Sequence, residues 1–215
     1  MEKTKKAIIV SAGTYAQVYS EYLSSEYEIL GYFDDDEKLT GNLINGKKVI
    51  GKVNELDKFI ANDLSISIFV PIGDNRQRSR LLREFEAKGY LTPSFISKNT
   101  VLHESVDIGK AVYILSGTNI MPLSTIGDFT MISSGVNIAH HNIIGTACFF
   151  SQGCNIGASI NIGDNVFFGI ASTITTGVKN ISANSLIGSG TVVLKNVNEG
   201  EVVVGNPGRV LRVAK

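Results

Sequence analysis

From Ile108 to Ile174 every sixth residue is Ile or Phe: Ile108, Ile114, Ile120, Ile126, Ile132, Ile138, Ile144, Phe150, Ile156, Ile162, Phe168 and Ile174. A period of six cannot keep one face of a helix turned inward, and it is too long for simple strand alternation. It describes a prism, in which each short strand is one side of a triangular coil and one large apolar residue per side points at the axis. Two residues ahead of each large position stand Val106, Val112, Thr118, Ser124, Thr130, Val136, Asn142, Cys148, Cys154, Ile160, Val166 and Ser172. Mostly small or β-branched, they suit a second, narrower inward row. Gly109, Gly127, Gly145, Gly157, Gly163 and Gly169 follow the large residue directly, where the chain is expected to turn a corner in an unusual backbone conformation. The repeat slips by one residue and resumes at Ile181, Ile187 and Val193, so about five coils stack as a parallel β-helix. Periodicity alone leaves its hand open, although right-handed crossovers are the rule for parallel strands.

The residues ahead of the prism follow a different rhythm. Ala7 to Val10 read as a buried strand, Ser11-Ala12-Gly13 as a turn, and Tyr15, Val18, Tyr19 and Tyr22 as the inner face of a helix. A second strand, Ile29 to Phe33, runs into Asp34-Asp35-Asp36. A short helix through Leu56, Phe59 and Ile60 is expected with Asn54 as its cap, and a third strand, Ser65 to Ile72, enters Gly73-Asp74-Asn75. A last helix covers Arg76 to about Lys88, with Leu81, Leu82 and Phe85 inward. This alternation predicts a small Rossmann-like parallel sheet over 1–97, and the β-helix with its tail over 98–215. In such sheets ligands bind beyond the carboxyl ends of the strands. The Gly13 turn, Asp34-Asp35 and Gly73-Asp74-Asn75 meet there: a helix N-terminus can hold phosphate, and an aspartate can accept from a sugar hydroxyl. Ser11 to Ala16 has one glycine where a dinucleotide fingerprint has three, which argues against NAD.

Twenty basic and twenty acidic residues leave no net charge, so nothing favours nucleic acid or an anionic membrane as a partner. Lys3, Lys5 and Lys6 precede an apolar run too short for a signal peptide, and no segment has the length of a membrane span, so a cytoplasmic location is expected. Cys148 and Cys154 both fall in the narrow inward row and read as small hydrophobes. His103, His140 and His141 are the histidines. The adjacent pair follows Ile138 at a corner, where an imidazole can face a groove and take a proton near neutral pH.

The ordered set of glycine turn, acidic pair after the second strand, Ile72-Gly73-Asp74-Asn75, hexapeptide prism and terminal Val202-Val203-Val204-Gly205-Asn206-Pro207 resembles one family. It looks like the sugar O-acyltransferases of the sialic acid O-acetyltransferase type and the N-acetyltransferases of nucleotide-linked 4-amino sugars. The resemblance implies a left-handed β-helix and a homotrimer with acetyl-CoA lying between neighbouring prisms. It implies direct acetyl transfer to a sugar amine or hydroxyl with His140 as general base and no metal. It also places nucleotide-sugar contacts at Gly13, Thr14, Tyr15, Asp34, Asp35, Gly73 and Asn75, and donor contacts at Gly157, Ala158, Ile170 and Gly188. Two departures stand out: His141 occupies the position where relatives have Asp or Glu, and Phe149 a position where some have a second histidine near the thioester. The chain's His-His pair is similar to a subgroup reading Gly-His-His, so both histidines are candidate catalytic residues and Phe149 a candidate donor contact. A silent nucleotide-sugar-binding or scaffold protein and a γ-class carbonic anhydrase are the alternatives, the second disfavoured because two adjacent histidines plus His103 converge poorly on zinc.

Overall fold

The structure, a computed structural model, describes residues 5–61 and 63–213; Lys3 of the basic start lies outside them. The chain forms two compact units that meet in sequence between Pro93 and Ser94, slightly ahead of the expected 97/98 boundary, because Phe95 already pairs with Tyr113 in the prism.

In the first unit β1 (Lys5–Val10) and β2 (Tyr27–Phe33) flank α1 (Thr14–Leu23), followed by β3 (Leu43–Ile44), β4 (Lys47–Gly51), α2 (Leu56–Ile60), β5 (Ser67–Phe69) and α3 (Asn75–Ala87). The sheet order is β3-β4-β2-β1-β5, with parallel pairing except between β3 and β4. Ala7 to Val10 are fully buried in the central strand, as an apolar run without alternation requires. The inner face of α1 is Ala16, Tyr19, Ser20 and Leu23, not the expected Tyr15-Val18-Tyr19-Tyr22; Val18 is exposed. Small Ala16 and Ser20 allow close approach to the sheet, and Tyr15 is turned toward Gly73. Asn54 is not a cap: it lies inside a short 3-10 turn, and Glu55 Oε2 accepts from the Lys52 amide at 2.9 Å. The β3–β4 hairpin was not anticipated. Its turn is Asn45-Gly46, with φ of 48° and 70°, the left-handed pair that favours this dipeptide in two-residue hairpins.

The second unit is the prism. Strands of two residues pair in parallel with those eighteen positions on, as in Asn119↔Asn137↔Asn155 and Ile120↔Ile138↔Ile156. One column runs Phe95, Tyr113, Met131, Phe149, Phe167, Leu186, Val202, seven stacked positions and hence six turns of coil rather than about five. The first turn extends the six-residue spacing to Ile96 and Leu102 and is less well covered: Ile96 is 36% exposed. Both inward rows from Val112 to Ile174 are buried. The slip after Ile174 is taken up at Gly177, φ 108°, and pairing resumes as Asn161↔Asn180. The column ends on an antiparallel hairpin, Glu201–Val204 with Arg209–Val213.

The glycines that follow the large residues do not turn the corners. Left-handed backbone instead recurs three residues after the large position, at Ala111, Gly117, Leu123, Phe129, Gly135, His141, Ala147, Gly153, Ser159, Asn165 and Ala171. Gly127 and its equivalents are required by stacking: a Cβ on Gly127 would lie 2.5 Å from the carbonyl carbon of Gly145 in the next coil. Polar members of the narrow row are satisfied in a regular way. Thr118, Ser124, Thr130, Cys148 and Cys154 each donate to a carbonyl fifteen positions on.

Replacing Ile156 by Asp would place an unpaired carboxylate among these buried rows, at a cost of several kcal/mol. The expected result is aggregation or a much lower thermal midpoint. An unchanged midpoint by calorimetry would contradict the inward register.

Candidate active site

Ile138 ends a strand on the prism axis, and the corner that follows carries His140 and His141 outward, both exposed. His141 is the left-handed residue of this corner, φ 58°. Backbone bonds hold it to the coils on either side: the His141 amide donates to Pro122 O (3.3 Å), and His140 O accepts from the Ser159 amide (3.0 Å). The two rings stand nearly perpendicular, 87°, with Nδ1 to Nδ1 at 2.9 Å. One nitrogen must donate and the other accept. When His140 donates, its Nε2 keeps a free lone pair and can take a proton. His141 Nδ1 then accepts the hydrogen bond that a carboxylate would otherwise take, and that bond strengthens as His140 becomes cationic.

Beside this corner a trough of 240 Å³ starts at Ala139 and runs over Asn119, Met121, Asn137, Asn155 and Gly157. The asparagines recur every eighteen residues immediately before a core isoleucine, a signal the sequence reading passed over. Asn137 Nδ2 donates to Asn155 Oδ1 at 3.0 Å, so the floor is a column of side-chain amides. Gly157 is at the trough, but its backbone is already engaged: the amide donates to Ile174 O (2.8 Å) and the carbonyl accepts from Asn142 (2.9 Å). Glycine is needed there because a Cβ would meet the Thr176 amide at 2.5 Å. Ala158 caps the neighbouring corner position, its amide 3.5 Å from Thr176 Oγ1. Ile170 is exposed, and its carbonyl accepts from Gly190; Gly188 packs against Val204. Phe149 is 1% exposed and stacks on Phe167 with centroids 5.1 Å apart. It is therefore a packing residue rather than a donor contact. His103 is tied to Ser105 Oγ at 2.9 Å, and among the described residues no group of three or more His, Cys, Asp or Glu could hold a metal ion.

In the first unit the expected elements do converge. The turn after β1 is made by Ser11, φ 83°, not by Gly13, whose φ is −66° as the residue before α1. Lacking a side chain, Gly13 leaves the N-terminus of α1 open at Thr14 and Tyr15, with no side-chain cap and no acid in the first turn. A helix N-terminus without a side-chain cap or an acid favours an anion. Asp34 bridges the two loops: Oδ2 accepts from the Ala12 amide (2.7 Å) and Oδ1 from the Asp36 amide (2.9 Å). Asp35 Oδ1 accepts from the Val53 amide at 3.0 Å. Both acids thus anchor backbone, and each oxygen retains a second lone pair for a hydroxyl. Gly73 faces the Tyr15 ring, 3.9 Å from its Cβ position. Asp74 caps α3 by accepting from the Gln77 amide at 2.7 Å, and Asn75 Oδ1 accepts from Arg78 Nη2 at 2.8 Å. Arg78 is completely buried and also donates to Ile72 O at 2.7 Å, holding this loop from beneath. The sequence reading left Arg78 out because an arginine on a helix normally faces solvent.

Residues 6–85 match the PglD N-terminal domain family. The whole chain superposes on a variant of GDP-perosamine N-acetyltransferase from Caulobacter crescentus, solved with CoA and GDP-perosamine, with a TM-score of 0.88 and 26% identity over 95% of this chain and 96% of that one. Over nearly its whole length the chain thus resembles a nucleotide-sugar hexapeptide-repeat acyltransferase. Its prism accordingly is a left-handed parallel β-helix. The acetyltransferase domain of PglB from Neisseria gonorrhoeae, solved with acetyl coenzyme A, shares the fold at a TM-score of 0.89 and 22% identity, covering 97% of this chain and 100% of that one. An uncharacterized protein of Acanthamoeba polyphaga mimivirus is 30% identical over 122 residues, 57% of this chain; the chain spans 23% of that relative's length.

Asp34→Ala removes two charge-assisted bonds to backbone amides, each contributing about 1.5–3 kcal/mol. The Ala12 amide should exchange with solvent markedly faster. Unchanged protection at Ala12 would show that the strut is not formed in solution.

Proposed function

We propose that the protein moves an acetyl group from acetyl-CoA to the amine of a nucleotide-linked amino sugar, with His140 as general base. The observation that carries this reading is the exposed His140–His141 pair beside a trough floored with amides, in a chain similar over nearly its whole length to an enzyme solved with CoA and GDP-perosamine. That similarity supports an amine acceptor. A hydroxyl acceptor would use the same proton transfer. The amine nitrogen attacks the thioester carbonyl, a C–N bond forms, and the C–S bond breaks. The amine's proton passes to His140 Nε2, which returns it to the departing sulfur, so that CoA leaves as the thiol. His141 orients the base through Nδ1 and so takes over the role that a carboxylate has in relatives.

The donor's fit is favourable on the chain's own residues. The trough is shallow and open, and its side-chain amides match the amide groups of a pantetheine arm. Ala158, Ile170 and Gly188 continue along the same prism. In the first unit, Gly13, Thr14 and Tyr15 at the open end of α1 suit a diphosphate, while Asp34, Asp35, Gly73 and Asn75 frame the sugar nucleotide. No helix among the described residues is long and apolar enough to cross a membrane.

A trough this open needs a second wall. Met121, Leu123 and Ile143, apolar residues near the histidine corner, are all exposed, Leu123 at 57% and Ile143 at 58%. Both features support prisms standing side by side in a homotrimer. Light scattering at micromolar concentration should give three times the monomer mass, and a monomeric mass would sink the shared groove.

For the chemistry, acetyl-CoA consumption should be screened against a panel of nucleotide amino sugars. With the substrate that turns over, His140→Ala should lower kcat by roughly 10²- to 10⁴-fold and leave acetyl-CoA binding by calorimetry nearly intact. His141→Ala should have a smaller effect. If His140→Ala keeps most of its turnover, the base lies elsewhere.

A further inference from the structure

Asn142 immediately follows the histidine pair and is completely buried in the narrow inward row. Its backbone amide donates to Ser124 Oγ in the preceding coil (3.2 Å). Its side-chain Oδ1 accepts from the Ile160 amide in the following coil (3.0 Å), and Nδ2 donates to Gly157 O (2.9 Å). These contacts repeat what the row's hydroxyls do elsewhere, as Thr130 donates to Gly145 O and accepts from the Cys148 amide. The remaining contact has a different target. The second Nδ2 hydrogen goes back three residues to Ala139 O, at 2.6 Å. A hydroxyl has one proton to donate and cannot make both bonds, whereas an amide has two.

The bond to Ala139 O closes a ring around the two residues it encloses, His140 and His141. Ala139 precedes the base and Asn142 follows its partner, so the side chain fixes both ends of the corner from the buried side. An exposed pair of rings on a free turn would sample many rotamers and lose the 2.9 Å contact between their Nδ1 atoms. Pro122, Ser124, Ile156, Ser159 and Asn142, which bond to Ala139 or the histidines, carry no charge, so no ion pair does the holding. We infer that Asn142 is a positioning residue, which keeps His140 and His141 in register so that their Nδ1 atoms share one hydrogen bond and Nε2 of His140 stays free.

The inference rests on reading His140 as the base, but its test needs no substrate. Nitrogen-15 NMR of histidine-labelled protein at alkaline pH resolves three imidazoles, and His103 serves as internal reference. In wild type, the Nδ1 signals of His140 and His141 should show fixed and opposite tautomers. Asn142→Val has the branched shape of Val136 in the same row and no donor for Ala139 O. It should fold, and the two Nδ1 signals should collapse toward the values of a freely exchanging imidazole. Thr130→Val deletes two bonds of the same ladder away from the corner; it should lower the thermal midpoint and leave the histidine signals as in wild type. Fixed tautomers persisting in Asn142→Val, their absence from wild type, or equal collapse in Thr130→Val would each overturn the inference. The turnover of His140→Ala, on which the base reading depends, is measured separately.

Discussion

Coil-on-coil backbone pairing governs everything that can be placed on the prism. Each two-residue strand hydrogen-bonds to the one eighteen positions on, so successive coils are held at the spacing of strands within a sheet, about 4.8 Å. At that separation there is no room for a side chain directed along the axis, hence the glycines whose Cβ positions fall within 2.8 Å of the next backbone at Gly127, Gly145 and Gly157. It also brings carbonyls and amides of the adjacent coil within reach of the polar side chains of the inward row. The outward corners alone are free to vary. Chemistry therefore resides at a corner, and the repeating core determines at what height along the stack it occurs.

The first unit solves a different problem with the same economy of backbone contacts. Its candidate site depends on loops at strand ends, which have no repeat to hold them. Here acidic side chains and a buried arginine supply the order: Asp34 ties the second loop to the first, and Arg78 ties Asn75 to Ile72. A ligand arriving at the open end of α1 meets amides already oriented, which limits the entropy lost on binding.

The prism was legible because a period of six in Ile and Phe has few structural solutions, and both inward rows were visible residue by residue. The role of its glycines was not, since a corner glycine and a stacking glycine look alike in sequence; only the left-handed residues two positions later, His141 among them, separate the two. The helix face of α1 was misplaced by following large residues, although Ala16 and Ser20 are what close packing selects. The Asn45-Gly46 hairpin had a clear signal that went unread. At the site, the two histidines could be named from the sequence, but their mutual hydrogen bond and the buried amide behind them depend on distances across coils. Phe149 was assigned from its position relative to a family motif, and the stacking on Phe167 shows why that position packs here.

A parallel stack with identical pairing at every level has no intrinsic end: its last coil offers the same hydrogen-bonding edge as every coil before it, the geometry that lets cross-β fibrils grow. In this chain the longest column stops on Arg209–Val213, which runs antiparallel to its neighbour. Reversal of strand direction denies an incoming coil the parallel register used throughout the prism. The hairpin thus closes that column to further parallel pairing.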